Sequence, residues 1–310
     1  MPCFSPLKGF KDNVSGGLVF KRSATAHFPM EVACGQCLGC RLDNSRMWAI
    51  RMVHEAAMYD DNVFLTLTYR DEDICDDEQR KRGYFLPRDG SLNKKHFQDF
   101  MKRLRKWYGR RISYFHCGEY GDENGRPHYH ACVFNLCVPD LEFHKFGSQG
   151  DPIFVSDTLD RLWRYGFVYI GDVTFQSAAY CGRYCMKKIT GPMSETHYMR
   201  FDQYGVCFWV QPEYCTASRR PALGKAFFDK FSSDFFPSDE VPVPGHGVLK
   251  KVPRYYTDLF AREDTGVIDD VKEMRKAFKI AHGDDYTPER LMSKYRVQKA
   301  RSNMLLRSGQ

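Results

Sequence analysis

The stretch PHYHACVF, residues Pro127–Phe134, decides the fold prediction because two histidines flank a tyrosine in an otherwise apolar run. Side chains alternate between the two faces of a β-strand, so His128 and His130 point one way and Tyr129 points the other. The pattern therefore predicts a buried strand that aims two imidazoles at one spot. What that spot binds depends on which other side chains reach it.

A second strand and a turn precede this stretch. RISYFHCGEYG (111–121) has the character of a strand, and GDENGRP (121–127) is rich in the residues that form turns. The two strands are therefore predicted to form a β-hairpin with Glu119 near its turn. Folding back at this turn brings the Glu119 carboxylate toward the face that carries His128 and His130.

The rest of the chain alternates strands and helices, which predicts an α+β fold with an antiparallel sheet flanked by helices. VFLTLTYR (63–70) has the alternation of a strand, with Val63, Leu65, Leu67 and Tyr69 on one face. After Asn93, a predicted N-cap, basic residues are expected on one helical face and the following residues on the opposite face: Phe97, Phe100, Met101, Leu104, Trp107 and Tyr108. Further elements are expected as helices at 42–60, 156–166 and 175–189 and a strand at 167–174.

Three segments are predicted along the chain. Residues 1–44 form a cysteine-containing segment whose first 33 or so residues look irregular, and residues 45–195 carry the sheet. Residues 196–310 form a proline-rich connector and an added basic helical region. Its last helix is expected to follow Thr287 as N-cap.

The composition is that of a soluble globular protein, and its charge suits an anionic partner. Apolar residues make up 43% and charged residues 27% of 310 residues, and the net charge is +7 with 15% aromatics. Such a balance suits a polyanion whose bases stack on exposed rings. The sequence has no signal peptide pattern and no long apolar run, so its 12 cysteines are expected to be reduced or metal-bound thiols in a cytosolic protein.

Glu119, His128 and His130 together offer one carboxylate oxygen and two imidazole nitrogens. Such a half-shell suits a divalent cation and leaves positions open for water or phosphate oxygens. The alternative is that both histidines are ordinary strand residues. Phe64, Thr66 and Thr68 either underlie the same face or serve sheet packing alone.

The stretch AAYCGRYCMKK (178–188) carries a second set of candidate residues. Tyr180 and Tyr184 are four residues apart and Lys187 and Lys188 follow, so both hydroxyls and an ammonium share one helical face. A tyrosine with a pKa of about 10 attacks phosphorus only when the phosphate is polarised and the phenolate is stabilised. The alternative is that the two tyrosines only pack against the protein.

The order of these motifs resembles a known family. VFLTLTY, GRPHYHACVF and YCGRYCMKK are similar to the three motifs of the HUH superfamily of replication initiators. CGQCLGCR, FMKRLRK, GFVYIG and PEYCTASRRPALG resemble the rolling-circle initiators of gokushovirus-type phages, and the resemblance covers most of residues 30–230.

The resemblance implies a metal-dependent endonuclease that nicks and joins single-stranded DNA on a sheet of the RNA-recognition type. It carries Mg²⁺ or Mn²⁺ over to His128 and His130, with Glu119 as the acidic ligand. Tyr180 and Tyr184 match the paired nucleophiles that form a 5′-phosphotyrosine. Lys187 or Lys188 would hold the scissile phosphate.

The same resemblance implies the partners and the compartment. The DNA would be the single-stranded replication origin of a phage genome in the cytoplasm of a bacterial host. A host DNA polymerase would extend the free 3′ end. Because the chain lacks a GxxxxGK[ST] loop, a host helicase is expected to unwind the duplex.

Cysteines form a further motif near the N-terminus. Cys34, Cys37 and Cys40 are spaced CxxCxxC, and Cys3 is a candidate fourth ligand for a structural Zn²⁺. Free or packed thiols remain the alternative. Cys181 and Cys185, which follow the two tyrosines, are interpreted as small helix-packing residues.

Other functions fit parts of this pattern. A non-catalytic single-strand binder needs the aromatic and basic residues but no tyrosine pair. A metal-dependent phosphohydrolase would use water and release a free 5′-phosphate. A transposase or plasmid relaxase of the same superfamily is the nearest enzymatic alternative.

Overall fold

The computed structural model describes residues 3–121, 124–147, 150–184, 188–189, 191 and 193–307, with the backbone alone at 184 and 303–307. The strands are β1 (Leu7–Lys11), β2 (Leu18–Val19), β3 (Phe28–Val32), β4 (Asn62–Leu67), β5 (Ser113–Tyr120), β6 (Pro127–Phe134), β7 (Glu142–Phe146), β8 (Pro152–Val155), β9 (Val168–Asp172), β10 (Met199–Phe201), β11 (Cys207–Trp209), β12 (Tyr214–Ala217), β13 (Glu240–Val243) and β14 (Gly247–Lys250). The helices are α1 (Leu38–Ala56), α2 (Asp77–Arg82), α3 (Lys94–Tyr108), α4 (Asp157–Trp163), α5 (Phe175–Tyr184), α6 (Met193–Tyr198), α7 (Lys225–Phe231), α8 (Arg254–Phe260), α9 (Thr265–Ala281) and α10 (Pro288–Arg307).

A seven-stranded sheet with the order β12-β5-β6-β4-β9-β8-β7 organises residues 45–268, which form one compact unit. Every neighbouring pair in it runs antiparallel. The predicted hairpin is present as β5 and β6, with Glu119 directly opposite His128. The expected antiparallel sheet flanked by helices is therefore confirmed.

One face of this sheet packs on α3 and α4 to form the main core. The Asn93 side chain accepts a hydrogen bond from the Lys95 backbone and so caps α3, as predicted. Apolar residues at helical spacing make one face of α3 buried: Phe97, Phe100, Met101 and Leu104. Trp107, in the final turn of α3, is 41% exposed.

The opposite face of the sheet is covered in part by α5 and by residues 45–56 of α1. Helix α5 contacts β5 and β6. The Trp48 ring lies 5.0 Å from the Phe115 ring, and the Ser113 hydroxyl donates to the Glu55 carboxylate at 2.6 Å. The helix with the predicted nucleophile Tyr180 thus lies over the two strands that carry the predicted metal ligands.

The edge strand β12 comes from beyond residue 195 and pairs with β5, with Cys215 opposite Cys117. Residues 196–268 therefore pack within the same compact unit as the sheet. The predicted division of the chain into the segments 1–44, 45–195 and 196–310 stays a prediction. None of the helices in the described part of the chain has the length and apolar content that a membrane crossing needs.

The second compact unit combines residues 1–44 with 269–310. The expectation that its first 33 or so residues are irregular is wrong, because three short strands within residues 7–32 form an antiparallel sheet in the order β2-β1-β3. These strands are short and lack clear alternation, so their pairing is decided by partners distant in sequence. A Cβ at Gly9 would lie 2.4 Å from the Val19 carbonyl oxygen, which explains a glycine in β1.

Candidate active site

Glu119, His128 and His130 come together at the turn end of the β5–β6 hairpin. Glu119 Oε1 lies 3.0 Å from His128 Nε2 and 2.9 Å from His130 Nε2. The three ligand atoms all lie within 4.8 Å of one another. The antiparallel register produces this convergence because residues directly opposite each other share a face of the sheet.

The outer nitrogens of both rings have partners that fix their orientation. His128 Nδ1 lies 3.0 Å from the Arg126 carbonyl oxygen, and His130 Nδ1 lies 3.0 Å from the Thr66 hydroxyl. Because a carbonyl oxygen only accepts, Nδ1 of His128 carries the proton. In the neutral ring Nε2 then presents a lone pair to the Glu119 carboxylate, and this contact needs a proton or a cation between the two atoms.

The Glu119 carboxylate is buried, with its side chain 2% exposed. Burial acts to raise its pKa, but the close contacts with the His128 and His130 nitrogens outweigh this effect and hold the pKa well below the usual range. The group is therefore ionised at neutral pH. Two imidazole nitrogens and one ionised oxygen around a common point form a donor set that fits a divalent cation with open positions for further ligands.

Tyr180 lies on α5 beside this cluster. Its ring centroid is 5.2 Å from that of His130 and 6.3 Å from that of Phe64, both with nearly perpendicular planes, and the residue is 37% exposed. The next residue, Cys181, is fully buried, so the helix is anchored on the sheet while Tyr180 keeps access to solvent.

Helix α5 is also held against α1 by a close backbone approach. The Ser45 hydroxyl donates to the Ala179 carbonyl at 3.3 Å. A Cβ at Gly182 would lie 2.9 Å from the Ser45 carbonyl oxygen. Glycine at this position therefore lets the two helices come close enough to fix the height of Tyr180 above the sheet.

Arg183 is a candidate site residue that the sequence analysis did not identify. Its guanidinium carbon lies 5.7 Å from the centroid of the Tyr180 ring. The available signal was its position three residues after Tyr180, which places both on one helical face. A fixed cation beside a tyrosine stabilises negative charge that develops on its oxygen.

The remaining predicted site residues are only partly placed. Tyr184 ends α5, but its side chain lies outside the described residues, as do Lys187 and Cys185. Lys188 is exposed. The structure therefore brings Tyr180 to the three predicted ligands, while the positions of the second tyrosine oxygen and of Lys187 relative to them stay predictions.

His116 shows how strand alternation separates the histidines of the hairpin. It lies in β5 on the face opposite Glu119, fully buried, with its ring stacked 3.4 Å from that of Phe97. Burial lowers its pKa well below the usual value. This histidine is a neutral core residue and does not contribute to the candidate active site.

The predicted cysteine set also converges, in the unit formed by residues 1–44 and 269–310. The sulfur atoms of Cys3, Cys34, Cys37 and Cys40 all lie within 4.8 Å of one another. This cluster contains no residue of the candidate active site.

A large antiparallel sheet therefore carries a buried carboxylate and two strand histidines, with a helical tyrosine beside them. Comparison with known proteins identifies the family of a chain with this arrangement. Residues 62–189 match the family model described as replication-associated protein ORF2/G2P. This range contains all three predicted metal ligands and Tyr180.

Relatives extend the match over most of the chain. The chain is 33% identical over 271 residues to the replication-associated protein VP4 of Bdellovibrio phage phiMH2K, covering 84% of this chain and 78% of the relative. It is 32% identical over 296 residues to the replication-associated protein ORF2 of Spiroplasma virus 4, covering 89% and 86%. A third relative, ORF4 of Chlamydia phage 1, is 28% identical over 243 residues, covering 76% and 55%.

The chain belongs to this family of phage replication-associated proteins. The predicted membership in a family of phage replication proteins is therefore confirmed. No solved structure matches the chain significantly.

Proposed function

We propose that this protein is a metal-dependent endonuclease that nicks and rejoins single-stranded DNA to start rolling-circle replication of a small phage genome. The supporting observation is the convergence of Glu119, His128, His130 and Tyr180 on one sheet face in a chain of the replication-associated family. In this proposal the sheet is of the HUH and RNA-recognition type.

Glu119, His128 and His130 would hold the catalytic cation, Mg²⁺ or Mn²⁺. A bound divalent cation withdraws charge from a phosphate oxygen and leaves the phosphorus more open to attack. The buried carboxylate supplies the negative charge that retains the cation, and the Arg126 carbonyl and Thr66 hydroxyl keep both rings aimed at it.

Tyr180 would supply the nucleophile. Its hydroxyl loses a proton, its oxygen bonds to phosphorus, and the 3′ oxygen of the preceding nucleotide leaves and takes up a proton. Arg183 stabilises the negative charge on the tyrosine oxygen, and Lys187 or Lys188 is proposed to hold the scissile phosphate. The products are a 5′-phosphotyrosine and a free 3′-hydroxyl.

Tyr184 would make the second cut, which frees the 3′-hydroxyl that resolves this intermediate. The phosphotyrosine is an ester of similar energy to the DNA bond, so a 3′-hydroxyl can displace it and rejoin the strand without ATP. When synthesis returns to the origin, Tyr180 still holds the old 5′ end. A second tyrosine one helical turn away can then cut the new junction within the same molecule.

The proposed partners follow from this chemistry. Single-stranded DNA at the phage origin is the substrate, and the free 3′-hydroxyl is the primer for a host polymerase. A host helicase would unwind the duplex ahead of it. The proposed location is the cytoplasm of the bacterial host, where these enzymes act.

A labelled oligonucleotide carrying the phage origin tests the proposal. The wild-type chain should convert it to a protein–DNA adduct and a 3′-hydroxyl fragment, EDTA should stop the reaction, and added Mn²⁺ should restore it. The Tyr180→Phe/Tyr184→Phe double variant should form no adduct, whereas Tyr204→Phe, which changes an exposed tyrosine, should react normally.

Two outcomes would contradict the proposal. Binding of the oligonucleotide without cleavage in Mn²⁺ would indicate a non-catalytic single-strand binder. Release of a free 5′-phosphate with no adduct would indicate a phosphohydrolase that uses water as its nucleophile.

A further inference from the structure

Four cysteine side chains meet although Cys3 is 31 residues from the next of them. Cys3 Sγ lies 3.6 Å from Cys34 Sγ and 3.8 Å from Cys37 Sγ. Cys40, in the first turn of α1, completes a set in which all sulfur atoms lie within 4.8 Å of one another. The four thiols are partly buried and belong to the unit formed by residues 1–44 and 269–310.

These sulfur distances match a tetrahedral zinc site. With zinc–sulfur bonds of about 2.3 Å, the edge of a regular tetrahedron is about 3.8 Å. The two Cys3 distances lie within 0.2 Å of this value. A central ion holds its sulfur ligands at nearly equal distances from one another, as the two Cys3 distances show. A disulfide would instead bring two sulfur atoms to about 2.0 Å and leave the other two farther away.

Backbone amides point at the same sulfur atoms. The amide of Phe4 donates to Cys37 Sγ, that of Cys34 to Cys3 Sγ, and that of Cys37 to Cys34 Sγ, each at 3.3 Å. Amide donors stabilise sulfur as thiolate, the form that binds metal. Four thiolates at this separation repel one another, and a central cation would balance their charge.

We propose that Cys3, Cys34, Cys37 and Cys40 bind one structural Zn²⁺ as four thiolates. The four thiols release four protons on binding, and no electrons are transferred. With four protein ligands the ion has no open position, so its role is to crosslink the chain and not to activate water. This site is separate from the proposed catalytic cation, which Glu119, His128 and His130 would hold.

The ion would fix the N-terminal segment in place for contacts with α10. Phe4, next to the ligand Cys3, places its ring 5.8 Å from that of Tyr295 in an edge-to-face contact. In the same unit, Lys8 of β1 and Lys279 of α9 both pair with Glu31 of β3 at 3.3 and 2.9 Å. Exposed ion pairs contribute little stability, so the ion would be the main crosslink of this small unit.

Metal content of the full-length protein tests the site directly. The wild-type chain, purified without chelator, should contain one zinc per chain by elemental mass spectrometry, and replacement by Co²⁺ should give the intense visible spectrum of a tetrahedral thiolate site. Cys37→Ser/Cys40→Ser should lose both signals. Cys137→Ser, which changes an exposed cysteine outside the cluster, should keep them.

His128→Ala separates this site from the catalytic one. The variant should keep its zinc even though it loses nicking activity. Zinc that persists in Cys37→Ser/Cys40→Ser but disappears from His128→Ala would overturn the proposal, as would a wild-type chain that takes up no Zn²⁺ on titration.

Thiol mapping on the wild-type chain keeps the test decisive if the double cysteine variant does not fold. All four thiols should resist alkylation with zinc bound and react after chelation. A mass loss of two hydrogens with a mapped Cys3–Cys34 bridge would show a disulfide and refute the site.

Phe4→Ala tests the contact between the N-terminal segment and α10. This variant should retain zinc but increase hydrogen exchange in α10, and unchanged exchange would refute the docking role of the N-terminal segment.

Discussion

The two histidines of β6 differ in the groups that orient them. His128 is oriented by a backbone carbonyl, which no side-chain substitution removes, whereas His130 depends on the hydroxyl of Thr66 on the neighbouring strand. Thr66 lies directly opposite His130 in the sheet, so its contact is a consequence of strand register. Its importance can therefore be tested without changing any ligand.

We expect Thr66→Val to weaken Mn²⁺ binding by about 10-fold, because loss of a partner to a ligating histidine typically has an effect of this size. Isothermal titration with Mn²⁺ measures it. Thr68→Val is the matched control, since the Thr68 hydroxyl donates to the Phe167 carbonyl and not to a ligand. Equal affinities for wild type and Thr66→Val would show that His130 needs no such partner.

The pair Tyr180 and Tyr184 provides a second test based on single substitutions. Tyr180→Phe and Tyr184→Phe should each retain some cleavage of a fresh oligonucleotide, because the four-residue spacing predicts that both hydroxyls share one helical face and can serve the same phosphate. Both single variants should fail to release unit-length circles over repeated cycles. Mass spectrometry of the adduct peptide checks the assignment, and DNA attached to a tyrosine outside 180–184 would exclude this helix.

The distance between α5 and α1 depends on Gly182, because a glycine has no Cβ at the point where the two helices approach each other. The Cβ of an alanine at Gly182 would come within 2.9 Å of the Ser45 carbonyl oxygen, and a backbone atom within a helix cannot easily move away. The tyrosine helix must then shift, while the ligands on β5 and β6 stay in place.

Gly182→Ala should therefore lower the nicking rate at least 10-fold while leaving Mn²⁺ affinity nearly unchanged, because small displacements of a reacting group are costly. Single-turnover cleavage and metal titration measure the two effects. Gly171→Ala is the control, because a Cβ there meets only Phe64, at 4.0 Å. Parallel losses of metal affinity and cleavage would instead indicate general damage to the sheet.

Helix α10 carries basic residues of two kinds. Arg290 and Lys294 pair with Asp285 at 3.3 and 3.1 Å, so part of their charge is already balanced. Arg296, Lys299 and Arg301 are exposed. These three are the better candidates for contacts with DNA phosphates.

Replacing Arg296, Lys299 and Arg301 with glutamine should reduce the slope of log affinity for single-stranded DNA against log salt by about 2, since each phosphate contact contributes about 0.7. Fluorescence anisotropy at several salt concentrations measures the slope. Arg290→Gln/Lys294→Gln should change it less. An unchanged slope in the triple variant would show that α10 does not contact DNA.

For the whole molecule, buried neutral histidines are expected to contribute to the response to acid. His54 lies between the Tyr256 hydroxyl at 3.0 Å and the Pro242 carbonyl at 2.8 Å, and burial lowers its pKa to about 4. Between pH 6.5 and 4 the unfolded state binds a proton at His54 that the folded state does not. The contribution of neutral His54 to the free energy of unfolding is therefore fully present above pH 6.5 and is lost as the pH falls toward 4.

His54→Gln should remove about 3 kcal/mol of the pH dependence of unfolding free energy between pH 6.5 and 4. Urea denaturation at several pH values measures this change. His282→Gln, at an exposed histidine, is the control and should leave the pH dependence as in wild type. The same pH dependence in His54→Gln would mean that other groups cause the acid response.

Local patterns were sufficient for much of the fold and the candidate site. Strand alternation placed His128 and His130 on one face, and the turn residues predicted the hairpin that brings Glu119 to them. The cap at Asn93 and most of the stripe on α3 followed from helical spacing. Each of these features depends on residues that are close in sequence or joined by one short turn. Such features can therefore be predicted from the sequence.

The tertiary structure alone decided which distant segments pair. It placed β12 beside β5, formed strands from residues 7–32, brought Cys3 to the CxxCxxC motif and set Thr66 behind His130. The sequence by itself determined which residues could share a face. Their partners across the chain depend on loop closure, hydrogen bonding between strands and burial in one core, and no local period records those interactions.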